Sequence, residues 1–263
     1  SSVQKAYDLC NDFGIVAEHA KKEGLKGLEK ISLDIGNPLK VMLFQKAKNV
    51  EDAFERVGKP AAFEYKYDGF RLQCHRKGDV IKLFTRRLEE VTAQFPDVVG
   101  YVKQNVHGKD FIIDSEAVGF DQKTRKYLPF QSISQRIKRK YNINEIADKF
   151  PVELNVFDIM VYEGKNVMAE PFIKRREMLK KIVKEEPKRI ILAKQLITDD
   201  QKKAEKFYKE SLDAGEEGVM AKNLQGIYKP GSRVGFGVKI KPVMETLDLV
   251  IVGAEWGTGK RSG

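Results

Sequence analysis

From Leu39 onward the pattern of apolar and polar residues is that of short strands with helices between them. Ile81 and Leu83 alternate with Lys82 and Phe84, as in a sheet with two differing faces. The run Ala61 to Tyr65 leads to Lys66, and Arg71 to His75 pairs with Val80 to Phe84 across the hairpin signal Arg76-Lys77-Gly78-Asp79. Further strands are predicted at Phe111–Asp114, Ala117–Phe120, Val152–Val161, Gly218–Lys222 and Val238–Ile240. The period changes after Gln201. Ala204, Phe207, Tyr208, Ser211 and Leu212 fall on one stripe of a helix from Gln201 to Ala214, and Gly215 supplies its stop. A second helix is predicted from Ile173 to Val183. Antiparallel hairpins with helices among them give an α+β class.

The two ends have a different texture. Ser1 to Gly36 reads as short helices, the first interrupted by Asn11-Asp12-Phe13-Gly14 and the next closed by Gly24 and Gly27. That piece is too small to bury a core of its own, so it is expected to be a strap or the tail of something larger. Gly36-Asn37-Pro38 marks the boundary. Leu247 to Trp256 reads as a last strand before a glycine- and lysine-rich turn, which suggests a further domain beyond it. The expected organisation is therefore 1–36, 37–243 and 244–263.

Composition narrows the function classes. A hydrophobic fraction of 41% and a charged fraction of 33% fit a soluble globular protein with a core, and no stretch approaches the length of a membrane span. The expected compartment is the cytoplasm, or the nucleus of a eukaryote, and the expected state is a monomer. Cys10 and Cys74 form no C-x-x-C pattern, and His19, His75 and His107 lack metal-ligand spacing. Chemistry must then come from lysine, arginine and carboxylates. The net charge of +10 suits a polyanion such as nucleic acid, although a lysine-rich surface would produce the same number.

The sharpest local signal is Glu64-Tyr65-Lys66-Tyr67-Asp68-Gly69-Phe70-Arg71: a strand-end lysine, a tight Asp-Gly turn, then an arginine. A surface hairpin with solvated charges would look the same, so the rest of the chain decides. In order after it come Phe84-Thr85-Arg86-Arg87-Leu88-Glu89, Asp114-Ser115-Glu116, Asn155-Val156-Phe157-Asp158, Glu216-Glu217-Gly218-Val219-Met220-Ala221-Lys222 and Lys239-Ile240-Lys241. Together these resemble the motifs of covalent nucleotidyltransferases, specifically ATP-dependent DNA ligases of the archaeal and eukaryotic kind. The resemblance covers nearly the whole chain.

The resemblance implies an ATP-grasp-like nucleotidyltransferase core of antiparallel sheets flanked by helices. It implies the end of a DNA-binding domain before that core and the start of an oligonucleotide-binding barrel after it. Lys66 would be the nucleophile that takes AMP from ATP, with Mg2+ as cofactor and nicked double-stranded DNA as partner. A sliding clamp would be a further partner, reached through regions outside this chain. Glu64 would read the adenine amino group, Phe157 and Met220 would pack on the base, and Glu116 would contact the ribose. Arg86 would contact ribose and phosphate, Lys222 a phosphate, Arg233 would belong to the ATP-binding set, and Glu116 and Glu217 would hold the metal.

The residue chemistry is consistent with those roles. A lysine amine is a nucleophile only when neutral, and its ordinary pKa of about 10.4 leaves very little neutral at pH 7. Nearby cations favour the neutral form, so Arg71, Lys239 and Lys241 could activate Lys66 and also hold a triphosphate. Two carboxylates in a phosphate site make sense if they hold magnesium. Two positions depart from the family pattern. Gly237 stands where tryptophan is usual, with Phe236 as a partial substitute, and Arg87 stands where asparagine is usual. Rival readings are an RNA ligase or GTP-using capping enzyme, and, from another class, a basic nucleic-acid-binding module without chemistry.

Overall fold

The computed structural model describes the chain except residues 32, 138–140, 243–249, 251, 254 and 257–263, and the side chain of 234. Helices α1 (Ser2–Cys10) and α2 (Phe13–Glu29) open it. Asp12 separates them: its carboxylate accepts the Gly14 and Ile15 amides at 2.7 and 3.1 Å, an N-cap that starts the second helix. The expected stop at Gly24 and Gly27 is instead a kink. Gly24 has φ 59°, helix resumes to Glu29, and Gly27 packs so closely that a Cβ there would lie 2.1 Å from the His19 carbonyl oxygen. Ala6, Val16, Leu28 and Ile31 form a small buried cluster within this segment.

There follow β1 (Leu43–Lys46), α3 (Val50–Val57), β2 (Ala61–Lys66), β3 (Phe70–Lys77), β4 (Val80–Thr85) and α4 (Pro96–Asn105). Next are β5 (Asp110–Gly119), α5 (Phe130–Ile137), α6 (Ile143–Lys149), β6 (Val152–Tyr162), β7 (Lys165–Asn166) and α7 (Phe172–Ile182). The last are β8 (Ile190–Leu192), β9 (Gln195–Thr198), α8 (Gln201–Asp213), β10 (Gly218–Asn223) and β11 (Arg233–Ile240).

The strands form two sheets, ordered β1-β11-β10-β2-β9 and β4-β3-β5-β6-β7, with β8 beside β6. Pairing is antiparallel except for β1 with β11 and β6 with β8, so the class is α+β, as the sequence predicts. The β3–β4 hairpin forms as expected, closing at Lys77 opposite Val80. The strands predicted at Phe111–Asp114 and Ala117–Phe120 are one strand, β5. Its register on β6 slips at Ile112/Ile113 and at Asp114/Ser115, and these bulges take up the irregularity without ending the strand. Half of the stretch Leu247–Trp256 and most of the region 244–263 lie outside the described residues, and Val250, Val252, Gly253, Glu255 and Trp256 are in no strand.

Each sheet has its own core. Leu72, Cys74, Leu83, Phe111 and Leu154 pack with α4 and α7 on one; Ala61, Phe63, Val219 and Ala221 pack with α3 and α8 on the other. Within the α8 stripe, Ala204, Phe207 and Ser211 are buried. Consecutive strands β2 and β3 belong to different sheets, so the turn Tyr67–Gly69 is a crossing between them. The segment from Leu33 to Met42 is clamped to β3. Gly36 N–H donates to His75 Nδ1 (3.0 Å), Leu39 N–H to Gln73 Oε1 (3.0 Å), and Gln73 Nε2 to the Leu39 carbonyl (2.7 Å). With Nδ1 accepting, the His75 proton sits on Nε2, 3.1 Å from Gln73 Oε1. Among the described residues no helix is long and apolar enough to cross a membrane.

Candidate active site

The crossing between the sheets carries Lys66. Its backbone ends β2 opposite Gly218 of β10, and its carbonyl accepts the Glu217 amide at 2.9 Å. The Asp68 amide donates to Glu216 Oε2 at 3.0 Å. Gly69 is required because the turn runs against β5: a Cβ there would lie 2.3 Å from the Ala117 carbonyl oxygen. The Lys66 ammonium meets Glu217 Oε2 at 2.6 Å, and Lys241 pairs with the same carboxylate. Two cations on one anion leave this spot net positive.

Lys66 opens into a pocket of about 460 Å³ between the sheets. Glu64, Lys66, Arg71, Arg86, Glu116, Phe157, Glu217, Met220, Lys222, Arg233, Lys239 and Lys241 all line it, so every residue expected to bind nucleotide or metal converges on one cavity. They come from β2, β3, β5, β6, β10 and β11 and from residues just after β4, just before β10 and just after β11, as far as 177 positions apart in the case of Glu64 and Lys241. Register does much of this: Met220 lies opposite Glu64 on one side and Lys239 on the other.

At one end, Glu64 is 2% exposed and fully engaged. Lys222 Nζ is 2.6 Å from its Oε2; Gln195 Nε2 and Arg176 Nη1 reach its Oε1 at 2.9 and 3.4 Å. Lys222 also stands 5.0 Å from the centre of the Phe157 ring, so it is held at the Glu64 end of the pocket. Phe157 is half-buried while its neighbours along β6 are buried, and Arg71 stands 5.4 Å from the same ring centre. An aromatic ring with an apolar thioether nearby is a surface suited to a flat base.

The opposite side is cationic. Burial, then repulsion from Lys241, Lys66, Arg86 and Arg233, holds the Lys239 pKa below the ordinary lysine value. Arg71 behaves differently. Its guanidinium makes a two-point contact with Asp114, donates to the Met42 carbonyl (3.0 Å) and reaches the Tyr228 hydroxyl (3.3 Å). Burial works against that charge, but Asp114 outweighs it and raises the Arg71 pKa. Arg71 is thus already neutralised by a carboxylate, which weakens any effect of its charge on Lys66.

The two glutamates differ. Burial, reinforced by Asp114 and Glu217 and opposed by Lys66 and Arg71, pushes Glu116 up to about 8. No described residue donates a hydrogen bond to its carboxylate. Burial also acts to raise Glu217, yet hydrogen bonds from Lys241 and Lys66 prevail and its pKa is lowered. Among the described residues no group of three or more His, Cys, Asp or Glu side chains could hold a metal ion. Two carboxylates, one without a protein partner, do fit magnesium, which commonly completes its shell with substrate phosphates and water.

The departures from the motif pattern have local consequences. Gly237 is covered by Phe44 of β1: a Cβ on Gly237 would lie 2.7 Å from two atoms of the Phe44 ring. The aromatic ring at this place therefore comes from Phe44. Phe236, the substitute expected from the sequence, packs instead against Gly226 and Lys229. Arg87 is exposed. Residues with no role in the sequence reading also line the pocket, among them Met42, Phe44, Phe130 and Tyr228. Tyr228 bridges Asp114 (2.9 Å) and the Met42 amide (3.3 Å).

A family model described as ATP dependent DNA ligase domain matches residues 41–241. The DNA ligase of Nanoarchaeum equitans is 54% identical over 262 residues, covering 100% of this chain and 46% of that protein. The DNA ligase of Thermococcus onnurineus is 46% identical over 260 residues, covering 99% of the chain and 46% of that protein. The chain thus spans about half the length of the curated relatives it matches. Among solved structures, a mycobacterial DNA ligase D complexed with ATP and MES matches with TM-score 0.56 at 24% identity, over 76% of this chain and 60% of that one. At that identity the likeness speaks to the fold.

Proposed function

Because the chain belongs to the ATP-dependent DNA ligase domain family, we propose that its pocket carries out the adenylation chemistry of a DNA ligase, with Lys66 as nucleophile. The carrying observation is the placing of one amine. Lys66 Nζ stands where an acidic partner, Glu217, and a group of cations converge in a cavity that has an aromatic wall.

The deprotonated Lys66 amine attacks the α-phosphorus of ATP. A P–N bond forms, the bond to the bridging oxygen breaks, and pyrophosphate leaves. Lys239, Lys241, Arg86 and Arg233 stabilise charge on the phosphates as it develops. Phe157 and Met220 pack on adenine, Glu64 reads its amino group with Lys222 holding that carboxylate, and Glu116 holds the ribose. Glu116 and Glu217 would hold Mg2+, which supplies charge neutralisation on the polyphosphate when bound. AMP is then passed to the 5′-phosphate at a nick in double-stranded DNA. Attack by the 3′-hydroxyl on that activated phosphate seals the strand and releases AMP. The covalent detour turns a poor electrophile into one with a good leaving group. Residues 1–36 and 244–263 would belong to flanking domains of the longer enzyme, the first DNA-binding and the second an oligonucleotide-binding barrel.

The test is the intact mass of the chain before and after ATP with magnesium, alongside Lys66→Ala. One added AMP in the unaltered chain, mapping to Lys66 and lost in the variant, is expected. Folded protein that neither binds ATP nor gains mass would sink the reading in favour of a basic binding module. GTP accepted in place of ATP would favour the capping-type rival.

A further inference from the structure

Glu216 stands outside the roles assigned above, yet it is a buried carboxylate beside the nucleophile, with only 6% of its surface exposed. Its Oε2 accepts the Asp68 amide at 3.0 Å, while its buried Oε1 has no hydrogen-bond partner among the described residues. Its backbone is fixed from the other side: Gly215, at φ 83°, ends α8, and the Glu216 amide donates to the Ser211 carbonyl at 3.0 Å. The next amide, of Glu217, donates to the Lys66 carbonyl at 2.9 Å. Two successive residues therefore grip the peptides on either side of Tyr67.

That grip falls where sheet pairing offers least support. β2 ends at Lys66 in one sheet and β3 begins at Phe70 in the other. The Asp68 amide has no ladder partner at this crossing and is satisfied by a side chain. Burying a carboxylate to serve one amide, with its second oxygen left bare, is an expensive way to complete a turn. Such groups in a native fold call for an explanation.

We propose that Glu216 is a positioning residue for adenylation: by fixing the Asp68 amide it sets the direction in which Lys66 presents its amine to the pocket. This rests on Lys66 being the nucleophile. It assigns Glu216 no contact with ATP, and Glu216 does not line the pocket. Its loss should therefore slow the chemical step and leave nucleotide binding nearly unchanged.

Two variants separate these effects. Glu216→Met keeps length and removes the acceptor; Glu216→Gln keeps an oxygen that can accept the Asp68 amide. Both are checked for a cooperative thermal transition. The readouts are the single-turnover rate of AMP attachment at saturating ATP, the half-saturating ATP concentration, and hydrogen exchange at the Asp68 amide. Glu216→Met should slow attachment about tenfold or more, as expected when a reacting group is slightly misplaced. Half-saturation should move by less than about threefold, the scale of a contact not made to the ligand, and exchange at Asp68 should quicken. Glu216→Gln should restore both rate and protection. Attachment at the unaltered rate in Glu216→Met, a change confined to half-saturation, or equal failure of both variants would overturn the proposal. No adduct even in the unaltered chain would count against the proposed function, and the exchange measurement would still decide whether Glu216 fixes the turn.

Discussion

Gly237 and Phe44 form a pair whose coupling can be measured. In Gly237→Ala the new Cβ would meet Phe44 Cε1 and Cζ at 2.7 Å and Cε2 at 2.9 Å. Carbon atoms settle about 3.5–4.0 Å apart, so the ring must move by roughly 1 Å. Overpacking of this kind costs about 1–3 kcal/mol, and we expect about 2 kcal/mol here because the obstacle is a ring edge and not backbone. For a chain of this size that lowers the melting temperature by about 4–8 °C. The displaced ring lines the nucleotide pocket, so ATP binding should weaken as well. With Phe44→Ala the obstacle is gone, and adding Gly237→Ala should cost almost nothing. Thermal unfolding and ATP titration of the four proteins in the cycle give the coupling directly. If Gly237→Ala costs the same, within about 0.5 kcal/mol, in the Phe44→Ala background as in the unaltered chain, the ring is not what makes glycine necessary.

Other outcomes follow from buried charge. Asp158 and Arg175 form a buried two-point pair at 2.8 and 3.1 Å, so Asp158→Asn leaves an uncompensated guanidinium. It should cost about 3–5 kcal/mol by urea unfolding, whereas replacing both partners with apolar residues of similar volume should recover much of that. Burial, with Lys82 adding to it, depresses His75 to about 3 from its ordinary 6.5. The unfolded chain therefore takes up the proton first: the stability is intact above 6.5 and drains away as pH falls toward 3. The slope approaches about 1.4 kcal/mol per pH unit, and unfolding curves at about pH 7.5 and about pH 4.5 should differ less in His75→Gln than in the unaltered chain. Chelating divalent metal should abolish AMP attachment followed by mass, and restoring magnesium should bring it back.

Much of the site is legible in the sequence because its residues carry fixed spacings around strand ends, and strand ends are where a sheet aims side chains into a cleft. What stays hidden is pairing between distant elements. Nothing near Gly237 announces that Phe44 will cover it, because β1 reaches β11 only through a parallel pairing across most of the chain. Arg71 reads as a free cation until its side-chain contact with Asp114 of the neighbouring strand is seen, although Asp114 sits in the motif quoted for Glu116. Helix α3 is readable and yet absent from the predicted elements. Val50, Ala53, Phe54 and Val57 repeat at helical spacing behind the Asn49 cap, and only the brevity of the run obscures it. The bulged strand β5 reads as two because Ser115 and Glu116 interrupt its apolar pattern: Glu116 lines the pocket, while the buried Ser115 hydroxyl donates to the Leu72 carbonyl across the sheet.

The clamp on β3 makes the first helices part of the pocket's mechanics. Lys40 meets Asp8 of α1 at 3.8 Å, Leu39 is tied to Gln73, and the Met42 carbonyl, a little further along, holds Arg71. These contacts run without a break from α1 to the guanidinium that stands over Phe157. Thermodynamic reciprocity fixes the form of any coupling along this path: a grip on those helices that alters nucleotide affinity by a factor is itself altered by nucleotide by the same factor. The short tether is a lever arm between an outer surface and the reacting centre.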